Sequence, residues 1–197
     1  MDDYRFIQVE ENSNKKLHIY NPTSLPLIGQ GSQGAVFKLD DNRCIKIYAD
    51  KKIADMEKNS YAKGAGAAIM PLLYETGPKY IIIEYIKGPN LKEYLLQKGK
   101  MTEDIARELI NMFYEMKSFG FLRQDESLRH ILLKDNKKIK IVDHTYAFTL
   151  KNPVPVKLFK QLDAIGMLRD FIEQGTNEAP LLFREFSEKM PEYFFQP

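Results

Sequence analysis

The sequence predicts an α+β protein of two lobes, an antiparallel sheet with one helix followed by a mainly helical half. Outside one predicted helix, short apolar runs separated by turn residues recur through positions 1–86, which is typical of paired strands. Apolar residues at helical spacing dominate positions 87–197. The breaker Lys87-Gly88-Pro89 stands where one pattern gives way to the other. We therefore expect a domain over 1–86 and a second one over 87–197.

Composition excludes several functional classes. The 197 residues are 44% hydrophobic and 28% charged, and the net charge of +2 is too small to predict binding to nucleic acid or to an anionic membrane. Cys44 is the only cysteine, which excludes a disulfide framework and favours a reducing compartment. Apolar runs such as Tyr80–Ile83 are too short to span a bilayer. With no secretory signal pattern at the N-terminus, we expect a cytoplasmic protein that does not insert into membranes.

A glycine-rich motif lies between two predicted strands. Gly29, Gly31 and Gly34 form G-x-G-x-x-G, which follows Leu27-Ile28 and runs into the alternating segment Val36–Leu39. In a nicotinamide-binding fold the glycines would lead into a helix, so that interpretation fails. A strand on each side is typical of a lid over nucleotide phosphates, since glycine lets the backbone approach closely. A glycine-rich hairpin without any ligand is the other interpretation.

The next strand contains a single charge. In C-I-K-I-Y, the segment Cys44–Tyr48, Lys46 is the only charged residue, and a lysine in a buried strand usually has an anionic partner. A helix is predicted from about Asp50 to Ala65, and Glu57 on it is our candidate partner. Glu75 and Asp55 are weaker candidates. Alternatively, Lys46 lies on an edge strand and extends to water.

The remaining elements follow from caps, breakers and periodicity. Asn90 and Thr102 are predicted N-caps, and Gly120 ends the second of these helices. We expect strands over 71–74 and 80–86, and helices over about 90–97, 102–119, 156–174 and 178–189.

Two aspartates flank a predicted hairpin in the second half. Ile131–Leu133 and Ile139–Val142 are apolar runs joined by turn-forming residues, Asp125 precedes the first strand and Asp143 directly follows the second. Pairing of the strands brings their outer ends together, so we expect both carboxylates to face one cleft. Such a pair suits phosphoryl transfer, in which one carboxylate orients the nucleophile and the other holds Mg²⁺. A surface hairpin with two ordinary loop aspartates is the alternative.

These motifs together resemble the protein-kinase-like fold family over about residues 27–174, in particular its small RIO-type and lipopolysaccharide-kinase-like branches. The resemblance implies a nucleotide-binding first lobe and a catalytic second lobe. It also implies ATP as cofactor. Lys46 would bind the phosphates, and Ile83, Glu84 and Ile86 would line and contact the adenine. The residues that the resemblance places at the nucleotide are Gly29, Gly31, Gly34, Val36, Cys44, Lys46, Glu57, Ile83, Glu84 and Ile86.

The resemblance also implies a catalytic loop and a metal site. Asp125 would position the acceptor hydroxyl, Ser127 stands where such kinases often have a lysine, and Asp143 would bind Mg²⁺. His130 replaces the asparagine that binds a second Mg²⁺, and imidazole is a poor ligand for so hard a cation, so Mn²⁺ is an alternative. Asp163 resembles the helix aspartate that braces the catalytic loop.

The expected function is therefore ATP-dependent transfer of the γ-phosphate to a hydroxyl, as in serine/threonine-protein kinases. The alternative is a pseudokinase, a nucleotide-binding scaffold or sensor without phosphotransfer. Retention of Lys46, Asp125 and Asp143 favours the enzyme, whereas His130 and the missing glycine of D-F-G favour the pseudokinase. The sequence leaves open whether the acceptor is a protein or a small molecule.

Overall fold

A computed structural model describes residues 3–14 and 16–195 of the chain. It contains a five-stranded antiparallel sheet and, within the described ranges, six α-helices. The predicted α+β class is confirmed. The chain forms two compact units, one of Met1–Ala65 with Pro71–Ile86 and one of Gly66–Met70 with Lys87–Pro197.

The main sheet lies in the first unit and has the strand order β3-β4-β5-β7-β6. Two further hairpins, β1–β2 and β8–β9, belong to the first and second unit respectively. The strands are β1 (Gln8–Glu11), β2 (Leu17–Tyr20), β3 (Leu27–Gln30), β4 (Gly34–Lys38), β5 (Arg43–Tyr48), β6 (Leu73–Gly77), β7 (Tyr80–Glu84), β8 (Ile131–Leu133) and β9 (Ile139–Ile141).

The core of the first unit follows from strand alternation. On the central strand β5, Ile45 and Ile47 point to one face, as the period of two requires. They pack with Val9 of β1 and with Ile7, which directly precedes that strand, so the first hairpin covers this face. The buried members of the cluster are Ile7, Val9, Ala35, Phe37, Ile45, Ile47 and Ile82. The opposite face of β5 carries Lys46.

Of the α-helices in the described residues, one belongs to the first unit and five belong to the second. The Asp50 side chain accepts a hydrogen bond from Lys52 N and begins α1, while Asn90 and Glu93 form a capping box at the start of α2. In the described part of the chain no helix is both long and apolar enough to cross a bilayer. The helices are α1 (Lys51–Lys63), α2 (Leu91–Lys98), α3 (Glu103–Ser118), α4 (Val156–Asp163), α5 (Leu168–Glu178) and α6 (Pro180–Lys189).

Aromatic rings fill the core among the last three helices. Phe159 of α4 lies edge-on to Phe171 of α5 and to Phe186 of α6, with ring centroids 5.9 and 5.6 Å apart. Phe186 also meets Phe113 of α3 at 5.2 Å. Edge-to-face packing is the favoured geometry for such pairs, so these contacts join four helices of the second unit.

The prediction of one helix over 156–174 is wrong. Helix α4 ends at Asp163, and Gly166 adopts a φ of 71° in the left-handed region, where glycine is favoured. The amide N–H of Met167 then donates to Leu162 O, and α5 begins at Leu168. Apolar periodicity continues across the break because both helices bury a face in the same core, which is why the pattern alone suggested a single helix.

Candidate functional site

The first candidate region lies on the β5 face opposite the apolar cluster. Strand pairing sets Val36 of β4 beside Lys46, and Ile83 of β7 beside Cys44. Paired residues of antiparallel strands point to the same face, and Cys44 and Lys46 are two residues apart on one strand. The structure therefore brings Val36, Cys44, Lys46 and Ile83 together on one face of the sheet.

Lys46 and Glu57 form the predicted ion pair. Lys46 Nζ lies 2.6 Å from Glu57 Oε2, and the two side chains are only 14% and 1% exposed. Helix α1 supplies Glu57 from its buried side. The lysine ammonium also lies 5.1 Å from the centre of the Tyr48 ring, within the range of a cation–π contact. Lys46 is thus held by a carboxylate and an aromatic ring of its own unit.

Two glycines of the glycine-rich motif differ in what their surroundings require. A Cβ on Gly34 would collide with the backbone carbonyl of Ile47 on the neighbouring strand, whereas a Cβ on Gly31 would meet nothing within 4 Å. Between them the chain turns tightly, with Gly31 N donating to Gly34 O at 3.0 Å. The close packing of β4 against β5 explains why residue 34 is a glycine. The space around Gly31 is open, so packing does not explain the glycine there.

The residues predicted to line the adenine are buried or part of the sheet. Cys44 is 5% exposed, and burial raises the pKa of its thiol to about 12. Its Sγ lies 3.9 Å from Glu84 O. Glu84 also bonds Leu72, since Glu84 N donates to Leu72 O at 2.8 Å. Ile86, the last residue of this group, is buried.

The predicted hairpin of the second unit is present, with Ile131 opposite Ile141. Val142 N donates to His130 O at 2.8 Å, which continues the pairing to the outer end of the hairpin. Asp143 follows with a φ of 73°, a conformation that aspartate tolerates better than most residues. Its carboxylate is half-buried and accepts a hydrogen bond from Thr145 Oγ1 at 3.2 Å.

Asp125, the second predicted carboxylate, caps helix α4. Its Oδ1 accepts from Lys157 N at 2.7 Å and Leu158 N at 3.2 Å, and its Oδ2 accepts from Asn152 Nδ2 at 3.2 Å. Pro155 occupies the cap position and makes no side-chain cap bond, so Asp125 satisfies the helix N–H groups from a distant part of the chain. Burial raises the pKa of Asp125, and the three hydrogen bonds oppose that rise.

Gln161, and not Asp163, connects α4 back to the loop that holds Asp125. Gln161 Oε1 accepts from Leu128 N at 2.8 Å, and the Gln161 side chain lies 3.3 Å from Ser127 Oγ. Ser127 is buried. Asp163 is exposed, so its predicted bracing role is wrong. The helix breaks just beyond Asp163, whereas Gln161 lies two residues earlier on the side that meets the loop.

Glu126 is a buried carboxylate that the sequence did not single out. It is 2% exposed, and its Oε2 lies 3.8 Å from Arg123 Nη2 and 4.0 Å from His130 Nδ1. Burial raises the pKa of Glu126 to about 7, and the Asp143 carboxylate adds to the rise while Arg123 opposes it. His130, predicted as a metal ligand, thus lies beside a carboxylate of its own loop.

Among residues 3–14 and 16–195, no group of three or more histidine, cysteine, aspartate or glutamate side chains is placed to hold a metal ion. The structure also reveals contacts that sequence reasoning missed, those of Asn152, Gln161 and Glu126. Glu126 stands directly beside a predicted site residue, which could have marked it. Asn152 and Gln161 have no local signal, because their partners lie 27 and 33 residues away in the chain.

Comparison with known proteins identifies relatives for much of the chain. No family model matches the sequence. The Bacillus subtilis protein named "Putative serine/threonine-protein kinase YrzF" is 28% identical over 144 residues, which are 71% of this chain and 63% of that protein. The Schizosaccharomyces pombe serine/threonine-protein kinase ppk25 is 39% identical over 69 residues, 32% of this chain and 16% of that protein. The Caenorhabditis elegans serine/threonine-protein kinase WARTS homolog is 26% identical over 159 residues, 71% of this chain and 17% of that protein.

The chain thus spans less than two thirds of each of these relatives. All three relatives are named as serine/threonine-protein kinases, and the α+β architecture of this chain, with its antiparallel sheet, is compatible with a kinase-like fold. The RIO-type or lipopolysaccharide-kinase-like subtype finds no further support in them. At these low identities, the relatives support a protein-kinase-like family for this chain.

Proposed function

We propose that this chain is an ATP-dependent phosphotransferase of the serine/threonine-kinase type, which transfers the γ-phosphate to a hydroxyl acceptor. The observation that most favours this function is the Lys46–Glu57 pair, 2.6 Å apart and nearly buried beside a glycine-rich hairpin. A lysine ordered in this way can donate hydrogen bonds to phosphate oxygens without first losing side-chain entropy. The kinase names of the relatives support the same function.

The residues of the first unit fit a nucleotide. The open space at Gly31 would allow phosphates to approach the backbone. The apolar side chains around Cys44 offer a surface for a flat base. We propose that the nucleotide is bound by Gly29, Gly31, Gly34, Val36, Cys44, Lys46, Glu57, Ile83, Glu84 and Ile86.

The residues of the second unit fit one hard cation. Mg²⁺ is commonly bound through one or two carboxylates while phosphates and water complete its shell, and the half-buried Asp143 offers one such carboxylate. His130 offers a softer nitrogen that suits Mn²⁺ better. When bound, ATP and the cation would supply the phosphoryl group and neutralise its charge. Asp125 would accept a hydrogen bond from the acceptor hydroxyl, within a loop that Ser127 helps to hold.

One observation favours the alternative, a pseudokinase. Both oxygens of Asp125 accept hydrogen bonds from its own unit, and the residue is only 7% exposed. A carboxylate held in this way is less available to an acceptor hydroxyl. In this alternative the chain binds nucleotide as a scaffold or sensor. Its cytoplasmic location and its acceptor, protein or small molecule, stay predictions in either case.

Incubation of the purified chain with γ-labelled ATP and Mg²⁺ or Mn²⁺ tests this proposal. We expect ATP binding by calorimetry, together with labelled chain or released phosphate. The control is the double variant Lys46→Met with Glu57→Gln, which removes the lysine charge and the buried carboxylate charge together. It should lose most ATP affinity. Binding without transfer would establish the pseudokinase, and absence of binding would exclude both functions.

The variant His130→Asn separates the metal hypotheses. Asparagine restores an oxygen ligand at the same position, so Mg²⁺-dependent turnover should rise if a second ion limits the reaction. Unchanged turnover and unchanged preference between Mg²⁺ and Mn²⁺ would make His130 a structural neighbour of Glu126.

A further inference from the structure

We propose that Asn152 is a positioning residue, which fixes the orientation of the Asp125 carboxylate for the acceptor hydroxyl. This inference rests on the proposed phosphotransfer. The Asn152 side chain donates from Nδ2 to Asp125 Oδ2 at 3.2 Å. Nothing in the sequence around Asn152 assigns it a role, and its partner lies 27 positions away.

The hydrogen bonds of Asp125 determine which part of its carboxylate stays available. An ionised carboxylate has about four acceptor sites. The amides of Lys157 and Leu158 occupy two of them on Oδ1, and Asn152 occupies one on Oδ2. Among residues 3–14 and 16–195 these three donors leave a single acceptor site, on Oδ2. Because three donors from two segments hold the carboxylate, its rotation is prevented and that site has a defined direction.

Backbone hydrogen bonds hold Asn152 in a fixed position, which directs its side-chain amide toward Asp125. Asn152 N donates to Leu122 O at 2.9 Å, and Gln124 N donates to Asn152 O at 2.8 Å. Pro153 follows directly, and a residue before proline is restricted to extended conformations. The backbone of Asn152 is therefore tied to the segment that leads into Asp125, and its side chain has little freedom to turn away.

The same contact affects the charge on Asp125. A donor on the carboxylate favours the ionised form, so the Asn152 hydrogen bond lowers the pKa of Asp125 against the effect of burial. The amides of Lys157 and Leu158 and the Lys157 charge act in the same direction. Glu126 and Tyr193 are further titratable groups that interact electrostatically with Asp125. Removal of the Asn152 donor should therefore raise the pKa of Asp125.

The variants Asn152→Ala and Asn152→Asp test this role, with Asn111→Ala as control because Asn111 is exposed on α3 of the same unit. Turnover of labelled ATP, ATP affinity and amide exchange at Lys157 and Leu158 are measured for each chain. We expect kcat to fall about 10-fold to 100-fold in Asn152→Ala, as for a misplaced catalytic group, with ATP affinity within about twofold. In Asn152→Asp, kcat should fall further, because this variant places a second carboxylate next to that of Asp125. The acid limb of the pH profile should move to higher pH in Asn152→Ala.

The possible results separate this inference from the proposed function. Unchanged kcat in both Asn152 variants, with native amide exchange, would overturn the positioning role. Increased kcat would also overturn it and would show that the contacts hold Asp125 away from the acceptor. A fall in kcat that Asn111→Ala shares would indicate a nonspecific effect and would equally count against it. If the unmodified chain binds ATP without turnover, or binds none, the proposed function fails and this inference fails with it.

Discussion

Glu57 and Glu126 are both buried carboxylates, and the two units of the molecule compensate them differently. Glu57 is 1% exposed and has Lys46 Nζ 2.6 Å from its Oε2. Glu126 is 2% exposed, but the nearest atoms of Arg123 and His130 lie 3.8 and 4.0 Å from its Oε2. In the second case burial dominates and raises the pKa to about 7. The two sites thus contrast a carboxylate that has a charge-assisted hydrogen bond to a cation with one whose neighbouring cationic side chains lie beyond hydrogen-bonding distance.

The largest expected effect comes from breaking the first pair. Lys46→Met leaves Glu57 buried without its cation, so the free energy of unfolding should fall by about 3–5 kcal/mol. The double variant with Glu57→Gln should recover much of that loss, because an amide is far less costly to bury. Urea unfolding at neutral pH, followed by circular dichroism, measures both. A loss below about 1 kcal/mol in the single variant would contradict the pairing.

Glu126 should make the free energy of unfolding depend on pH. The folded-state pKa of Glu126, about 7, lies above the ordinary value of 4.5. The contribution of Glu126 to the free energy of unfolding is therefore complete below pH 4.5, and it is lost as the pH rises through about 7. From that difference the loss is at most about 3 kcal/mol. Glu126→Gln should remove this slope and be the more stable chain at pH 8. If the free energy of unfolding has the same pH dependence in both chains between pH 4.5 and 8, the Glu126 carboxyl is exposed to solvent and this prediction is wrong.

The close packing around the first pair can be tested at the glycines. Gly34→Ala should lower the free energy of unfolding by about 1–3 kcal/mol, because its Cβ would collide with Ile47 O. Gly31→Ala meets no atom within 4 Å and should change stability by less than about 0.5 kcal/mol, while lowering ATP affinity. Thermal unfolding and calorimetry on the two variants measure this difference. Equal destabilisation would mean that both glycines serve the fold alone.

The smallest effect concerns the loop that contains Glu126. Gln161→Met removes the acceptor for Leu128 N and should lower the free energy of unfolding by about 1 kcal/mol. Asp163→Asn on the same helix is the matched control, and it should have no measurable effect because Asp163 is exposed. Faster hydrogen exchange at Leu128 in Gln161→Met would locate the change. The reverse order of the two variants would restore the bracing role to Asp163.

Sequence patterns predicted the Lys46–Glu57 pair much better than the contacts of the loop that contains Asp125 and Glu126. The Lys46–Glu57 pair was predictable because a lone charge in an apolar strand needs an anionic partner, and the neighbouring helix offered one 11 positions away. The hairpin of Ile131–Leu133 with Ile139–Ile141 was predictable from two apolar runs around a turn. The contacts of Asp125 were not predictable, because the start of α4 lies more than 30 positions further along the chain.

The sequence by itself determined most of the strands and helices, the glycine-rich turn and the buried charge of Lys46, since each depends on residues within a few positions of one another. Only the tertiary structure decided that Asp125 caps α4, that Gln161 holds the loop in place of Asp163, and that Glu126 is buried 3.8 Å from Arg123. These contacts depend on how distant segments pack. Packing decides which donor reaches a carboxylate, and the short-range pattern of apolar and polar residues does not predict how distant segments pack.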